Sequence, residues 1–371
     1  KKNKQKNKKK KNGSTTSYGL GLMAGSFPAG TVMGSIMRGF QQQKVNIDGA
    51  ERPSMEKFAY TSGSSGGNFP NMIFAYATNT TSDEILDANG ISDPSKLTKE
   101  YLENTPQTSM FSAFDSPLIL SLALAYFESF LTGVPFWSNF VRYQFLKPFG
   151  ISDEPPSTTR DDVKATPIFL TSIFSPLETY PASLFIIGKL LQQNLNKSID
   201  MLTEFYDNST NMVFMPAGSD IVWDLIRESQ FQYPLPVLMT ADEIIIPAKK
   251  LNMTYGIVGN ITSDPFLFEP MFAPPDEMQP DSEGPFTMSK MLAAGTALLP
   301  IFRAGGQYPE ELMKALDSPL VLDVPTTSGD KRSMVLADGG YNDGTGIPAL
   351  VQKKVKKIVS VLYTTSRNND P

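Results

Sequence analysis

The sequence contains no cysteine and no histidine. The first absence excludes disulfides, thiol nucleophiles and thiolate-bound zinc. The second removes every Ser-His-Asp and Cys-His mechanism and most transition-metal sites. Any serine nucleophile in this chain must therefore find its base among carboxylates or lysines. Long hydrophobic runs are also missing. The richest apolar stretch, Leu118 to Trp137, is cut by Glu128 into charge-free runs of 12 residues (116–127) and 13 residues (129–141). Both fall short of the roughly 18 needed to span a bilayer, so a buried helix is expected there, with a lipid-contacting surface as the alternative. Charge is sparse as well, with 19% charged residues and a net charge of -5. Eight of the first eleven residues are lysine, and taking them away leaves -13 on the remainder. An acidic body argues against nucleic acid as a partner.

What is present fits a globular α/β protein. The chain has 371 residues, 40% of them hydrophobic, enough for a sizeable core. Residues 1–17 are Lys, Asn, Ser and Thr and read as a disordered, Lys-rich tail. Such a tail is a solvated segment or a polybasic contact with anionic lipid, worth about 1 kcal/mol per Lys near such a surface. From Tyr18 a short strand runs into a glycine loop, and a helix is expected from about Gly30 to Gln43. Phe58-Ala59-Tyr60 reads as a second strand, followed by Ser62-Gly63-Ser64-Ser65-Gly66-Gly67 and an apolar helix over about 68–77. Pro70 falls in its first turn, where a missing N–H costs little. Residues 82–110 are polar and broken. Helical periodicity returns over 116–148 and 184–206. Ser152–Thr166 and Ser263–Pro285 read as loop insertions. Met334–Ala337 reads as a strand delivering Asp338-Gly339-Gly340, before a helix (Ile347–Lys357) and a last strand (Ile358–Tyr363). Strands alternating with helices predict a mainly parallel sheet.

Gly63-Ser64-Ser65-Gly66-Gly67 fits the pattern Gly-x-Ser-x-Gly. A sharp strand-to-helix turn needs small residues on both sides of the serine, because a Cβ there would strike neighbouring chain. The turn would lift the Ser65 hydroxyl clear of the sheet and set the Gly66 N–H at a helix start, where a developing oxyanion is stabilised. The pattern alone is weak. Its context, a β-type run before and an apolar helix after, gives it weight.

Three segments, in order, resemble the catalytic domain of the cytosolic phospholipase A2, lysophospholipase (phospholipase B-like) and patatin-like superfamily. They are Leu20-Gly21-Leu22-Met23-Ala24-Gly25-Ser26-Phe27-Pro28-Ala29-Gly30, the turn at Ser65, and Ala337-Asp338-Gly339-Gly340 with the trailing Ile347-Pro348-Ala349-Leu350. Fainter likenesses lie at Phe136-Trp137-Ser138 and at Phe214-Met215-Pro216-Ala217-Gly218-Ser219. The resemblance implies a patatin/cytosolic phospholipase-like three-layer α/β sandwich with a central, mainly parallel sheet. It implies a single lipolytic acyl-hydrolase domain over 18–371, with Ser65 as nucleophile, Asp338 as the base, and Gly25, Ser26 and Gly66 at the oxyanion hole. No cofactor and no metal is implied. The partners are a lipid or acyl-ester substrate, with peripheral membrane-surface contact as the accompanying expectation.

Departures from the pattern bear on substrate. Many members carry three glycines and an arginine in the first segment; here Gly25-Ser26-Phe27-Pro28-Ala29 has no arginine in register, and Pro28 offers no N–H. The residues leave two other readings open. One is an amidase-signature hydrolase with a Ser-Ser-Lys arrangement, for which Lys44 and Lys57 are the upstream lysines of the ordered region. The other is an inactive homologue that binds lipid or a partner. Head group, acyl position, compartment and oligomeric state stay open at this level. Sequons at Asn79, Asn196, Asn208, Asn252 and Asn260 would matter in a secretory protein.

Overall fold

The chain runs as alternating strands and helices because its apolar residues change period from two to about three and a half along the sequence. In the computed structural model, residues 17–23, 25–90, 106–115, 118–154, 159–177, 235–239, 244–245, 287–296, 320–325, 331–341 and 344–361 are described. β1 (Tyr18–Leu22) leads through Gly25 into α1 (Ser26–Gln42). β2 (Lys44–Ile47) and β3 (Ala50–Pro53) form a hairpin that turns at Asp48-Gly49, both at positive φ. β4 (Phe58–Ser64) feeds α2 (Asn68–Tyr76) through one 3-10 turn. A capping box between Thr81 and Glu84 starts α3 (Ser82–Ile85). Then come α4 (Ser112–Asp115), α5 (Leu118–Thr132), α6 (Phe136–Val141) and the long β5 (Thr166–Pro176). β6 (Leu235–Met239), β7 (Ile244–Ile245), α7 (Met288–Thr296), β8 (Val321–Pro325), β9 (Lys331–Asp338), α8 (Ile347–Gln352) and β10 (Lys357–Val361) follow.

These strands build a mixed, eight-stranded sheet in the order β10-β1-β4-β5-β6-β7, with β9 on β5 and β8 on β9. Its heart, β10-β1-β4-β5, is parallel; β6 and β9 run antiparallel to β5. Alternation along the strands separates two faces. Leu20 and Leu22 enter the main core with Met33, Met37, Met72 and Ile73, while Gly19 and Gly21 face the other way, toward Leu350 and the Thr345 carbonyl. Ile168 and Leu170 share that second face with Ala349 and Leu350, and Phe169 between them joins the main core. The result is three layers: α1, α2, α6 and α7 over one face of the sheet and α8 over the other.

One long-range pairing matters most for function. β4 covers β5 from Thr166 to Leu170 and ends at Ser64. β9 covers β5 from Thr171 onward and ends at Asp338. Both strands overlap residues of β5 whose opposite edge is held by β6, so β4 and β9 share one edge, end to end. Their tips meet there.

The structure departs from the expected elements in several places. α1 begins at Ser26, a turn earlier than Gly30, because Gly25 takes a φ of 140° that ends the loop. β4 runs four residues past Tyr60. α8 ends at Gln352, with Lys354 left-handed behind it, and not at Lys357. The 118–137 stretch is helical apart from a break at 133–135, but α5 is not the buried helix expected: Ala125 is its buried residue and its large apolar side chains face outward. Of the 152–166 insertion, residues 155–158 lie outside the described residues; Asp153 accepts hydrogen bonds from the Ser289 N–H and hydroxyl and so anchors it to the start of α7. The tail over 1–16, the periodicity at 184–206, the 214–219 segment and the 263–285 insertion also lie outside the described residues.

Buried hydrogen bonds tie α2 to the sheet. Thr61 Oγ1 donates to Asn71 Oδ1 at 2.6 Å, and Asn71 Nδ2 donates to the Ile168 carbonyl at 3.0 Å. Asn71→Leu keeps the volume and strands both partners. It should cost about 2 kcal/mol, read as a lower urea midpoint at an unchanged m-value.

Candidate active site

Ser65 sits on the turn that joins β4 to α2, and its backbone is strained. Its φ is 47°, a left-handed value that a side-chain-bearing residue adopts at a cost of about 1–3 kcal/mol. The surroundings explain why glycines flank it. A Cβ on Gly67 would strike the Leu22 carbonyl, and one on Gly63 would lie 2.7 Å from the Gly67 carbonyl oxygen. The loop leaving β1 thus presses directly on the turn, and only glycine fits between them.

The hydroxyl so presented meets the tip of β9. Ser65 Oγ donates to Asp338 Oδ2 at 2.7 Å, across 273 residues of sequence. The second carboxylate oxygen, Oδ1, accepts the Gly340 N–H at 2.7 Å, which fixes the plane of the carboxyl group. Both side chains are buried, Ser65 at 5% exposure and Asp338 at 1%. Burial pushes the Asp338 pKa up from 3.8 to about 7, against the smaller opposing pull of the Ser65 hydroxyl and the Gly340 N–H. A carboxylate this basic accepts a proton near neutral pH far more readily than an exposed one.

The other expected site residues collect around the same turn. Gly25 is the N-cap of α1 and carries no capping side chain, and no acidic residue occupies the first turn. Ser26 is the first residue of that helix, so its N–H belongs to the donors that a helix start leaves open. Pro28 contributes none. Gly30, one turn along, lies against the turn itself: a Cβ there would sit 3.0 Å from the Gly66 carbonyl oxygen and 2.8 Å from the Phe114 ring. Gly66 follows Ser65 in the 3-10 turn that opens α2. The starts of α1 and α2 are locked together by rings, Phe27 with Phe69 at 5.3 Å and Phe69 with Phe145 at 4.1 Å between centroids. Ser65, Asp338 and Gly66 are therefore brought to one place, and the Gly25–Ser26 loop lies between Met23 and Gly30, which both approach the same turn. Lys44 and Lys57, the lysines of the amidase reading, are exposed on the β2–β3 side, and the Ser65 hydroxyl is engaged by Asp338. A hollow of about 260 Å³ lined by Gln41, Lys44, Met55, Asp83 and Asp162 among others touches none of the site residues.

Three supporting side chains were not foreseen. Asn68 Nδ2 donates to the carbonyls of Leu170 and Gly295, both at 3.1 Å, which binds the turn to β5 and α7. Asn71 plays the parallel role one turn on. Thr171 Oγ1 lies 2.7 Å from both the Ala294 and the Ala337 carbonyls, beside Asp338. Two asparagines three apart in an apolar helix are a readable signal, because buried amides require partners. Thr171 carries no such signal.

No family model matches the sequence, and the comparison with curated proteins finds no match. Among solved structures, human GIVD cytosolic phospholipase A2 is similar, with a TM-score of 0.47 and 13% identity over 91% of this chain and 44% of that one. This chain therefore spans less than half the length of that structure.

The raised pKa fixes the sign of a stability effect. Between pH 3.8 and about 7 the folded protein keeps the Asp338 proton that the unfolded chain releases, so this group's contribution to stability falls as pH rises through that window. Asp338→Asn removes the effect. The stability of the variant relative to the parent, from urea melts at pH 4.5 and pH 8, should increase with pH.

Proposed function

We propose that the chain is a serine carboxylic-ester hydrolase that works on lipid esters through a Ser-Asp dyad. The observation that carries this reading is the 2.7 Å hydrogen bond from a strained, buried serine to a buried carboxylate of raised pKa. The motif order, from the glycine loop at Gly25 through Ser65 to Asp338-Gly339-Gly340, supports the lipolytic substrate class.

In this scheme Asp338 Oδ2 takes the Ser65 proton as Oγ attacks the ester carbonyl carbon. The carbonyl oxygen becomes an oxyanion held by the N–H groups of Gly66, Gly25 and Ser26. Collapse expels the alcohol, which leaves with the proton held by Asp338, and an acyl-Ser65 intermediate forms. Water then attacks that ester and gives a proton to Asp338, which passes it to Ser65 Oγ as the intermediate collapses and the acid is released. Each oxyanion donor contributes on the order of 3 kcal/mol to lowering the barrier. Fixed dipoles suit this site because a neutral base would become a cation on taking the proton and could pair with the oxyanion, whereas Asp338 becomes neutral and leaves the oxyanion to the N–H groups.

A fluorophosphonate probe should label Ser65, and Ser65→Ala should abolish both labelling and ester hydrolysis. Asp338→Asn should lower kcat/KM by at least a thousandfold while the variant still folds and unfolds cooperatively. Absence of labelling in folded parent protein favours the inactive, lipid- or partner-binding reading, and turnover of primary amides in place of lipid esters favours the amidase. Because the ionised carboxylate is the base, kcat/KM should rise tenfold per pH unit below about 7 and level off above it.

A further inference from the structure

Helix α5 is amphipathic in the wrong sense for a core helix. At about 100° per residue, its inward side carries Leu118, Ser121, Ala125, Glu128 and Ser129; Ala125 and Leu118 pack on the main core, and the remaining ties to the body are polar. Asn139 Nδ2 donates to Ser129 Oγ at 2.9 Å, and the Glu128 carboxylate pairs with the Arg142 guanidinium. Burial opposes the charge on Glu128, but the hydrogen bonds from Arg142 and Tyr143 together with the nearby charges of Arg142 and Lys147 outweigh it and hold the carboxyl below its ordinary value. The outward side is apolar throughout. Ile119 and Phe130 are 80% exposed, Leu120 and Leu131 64%, Phe127 63% and Leu124 41%. Together with Tyr126 and Leu122 this face offers on the order of 800 Å² of apolar surface, beyond the few hundred that soluble monomers usually carry.

From these observations we infer that the outer face of α5 docks in the plane of a lipid surface, its side chains entering the boundary between head groups and acyl chains. Two features select lipid over a protein partner. The six side chains cover an arc of about 140°, and Tyr126 and Leu122 widen it to about 200°. A partner helix covers a stripe of about 100° and would leave the flanks in water, whereas fluid lipid closes around the whole arc. Glu128 is the helix's one charged residue and it points inward, so the outer face carries no charge and, in the Tyr126 hydroxyl, a single hydrogen-bonding group, fewer than the roughly one per 100–200 Å² of a protein interface. The helix lies in the interface and does not cross it: 15 residues span about 22 Å, and no described helix is long and apolar enough to cross a membrane. Its position suits the proposed chemistry. Phe114, four residues before α5, packs against Gly30 beside the Gly66 carbonyl, so the docking face is tethered next to the Ser65 turn.

The lipolytic reading contributes only the link to catalysis, and docking is testable without it. Full-length protein carrying Ser65→Ala should float with dioleoylphosphatidylcholine vesicles in 0.5 M salt, a condition that screens the Lys-rich tail. Adding Ile119→Ser, Phe127→Ser and Phe130→Ser should cut the bound fraction at least tenfold with the melting temperature unchanged. Should that triple variant fail to fold, a Phe130→Trp variant keeps the question decidable: brominated acyl chains should quench its added fluorescence. Loss of flotation only with removal of the lysines, unchanged flotation of a folded triple variant, or a concentration-dependent dimer that the triple variant dissociates and that ignores vesicles would each overturn the inference. In the active protein the triple variant should spare hydrolysis of a soluble short-chain ester and lose hydrolysis of vesicle lipid. If neither ester is turned over by the parent while flotation holds, the docking stands and the catalytic reading falls.

Discussion

A carboxylate buried at 1% exposure that accepts hydrogen bonds from a serine hydroxyl and a backbone N–H is the constraint around which this structure is arranged. Taking such a group out of water is unfavourable, and a nearby lysine or arginine would relieve the cost while lowering its basicity. Here burial pushes the pKa up to about 7, against the downward pull of the Ser65 and Gly340 hydrogen bonds. The contact depends on β5. That strand is long enough, Thr166 to Pro176, to be flanked first by β4 and then by β9 on the same edge. Shortening either register by two residues would leave Ser65 facing backbone and Asp338 buried without its donor.

The crowding around the turn follows from the same contact. To bring Ser65 down to Asp338 the chain must reverse between β4 and α2 within a few residues, at a left-handed φ. The β1 loop closes over the turn so tightly that Gly67 has no room for a Cβ, and Asn68 clamps the turn to β5 and α7. Strain of this kind persists only where the neighbours over-determine it. The stacked rings of Phe27, Phe69 and Phe145 and the buried amides of α2 are those neighbours.

Much of this was legible in the sequence, and the reasons are local. Strand-turn-helix around Ser65 shows because glycines, a first-turn proline and an apolar helix fall within fifteen residues. The α/β alternation shows because period changes are local too. The β2–β3 hairpin was also within reach, since Asp48-Gly49 is a strong turn signal, but charged flanking residues mask the strands. The pairing of β9 against β5 was not legible. An antiparallel partner 166 residues away leaves no trace in either segment, and Asp338 could be placed beside Ser65 only through the resemblance of its Asp-Gly-Gly segment. Thr171 was invisible for the same reason: its role comes from the two carbonyls that fold onto it.

Helix α5 shows where hydropathy stops being informative. Fifteen residues with a single charge give the same average whether the apolar side faces a core or the outside. What decides is the placement of the few polar residues. Ser121, Glu128 and Ser129 sit along one side with Ala125, and each needs a polar partner that bulk lipid lacks and a folded body provides. Arg142 and Asn139 are those partners for Glu128 and Ser129, presented by the π-helical turn after α6 and by α6 itself. The polar side is therefore the one that turns inward, and the apolar residues are left outward as its geometric consequence. A helix held this way keeps its orientation while burying little more of its apolar surface than Ala125 and part of Leu118, and its large apolar side chains stay exposed.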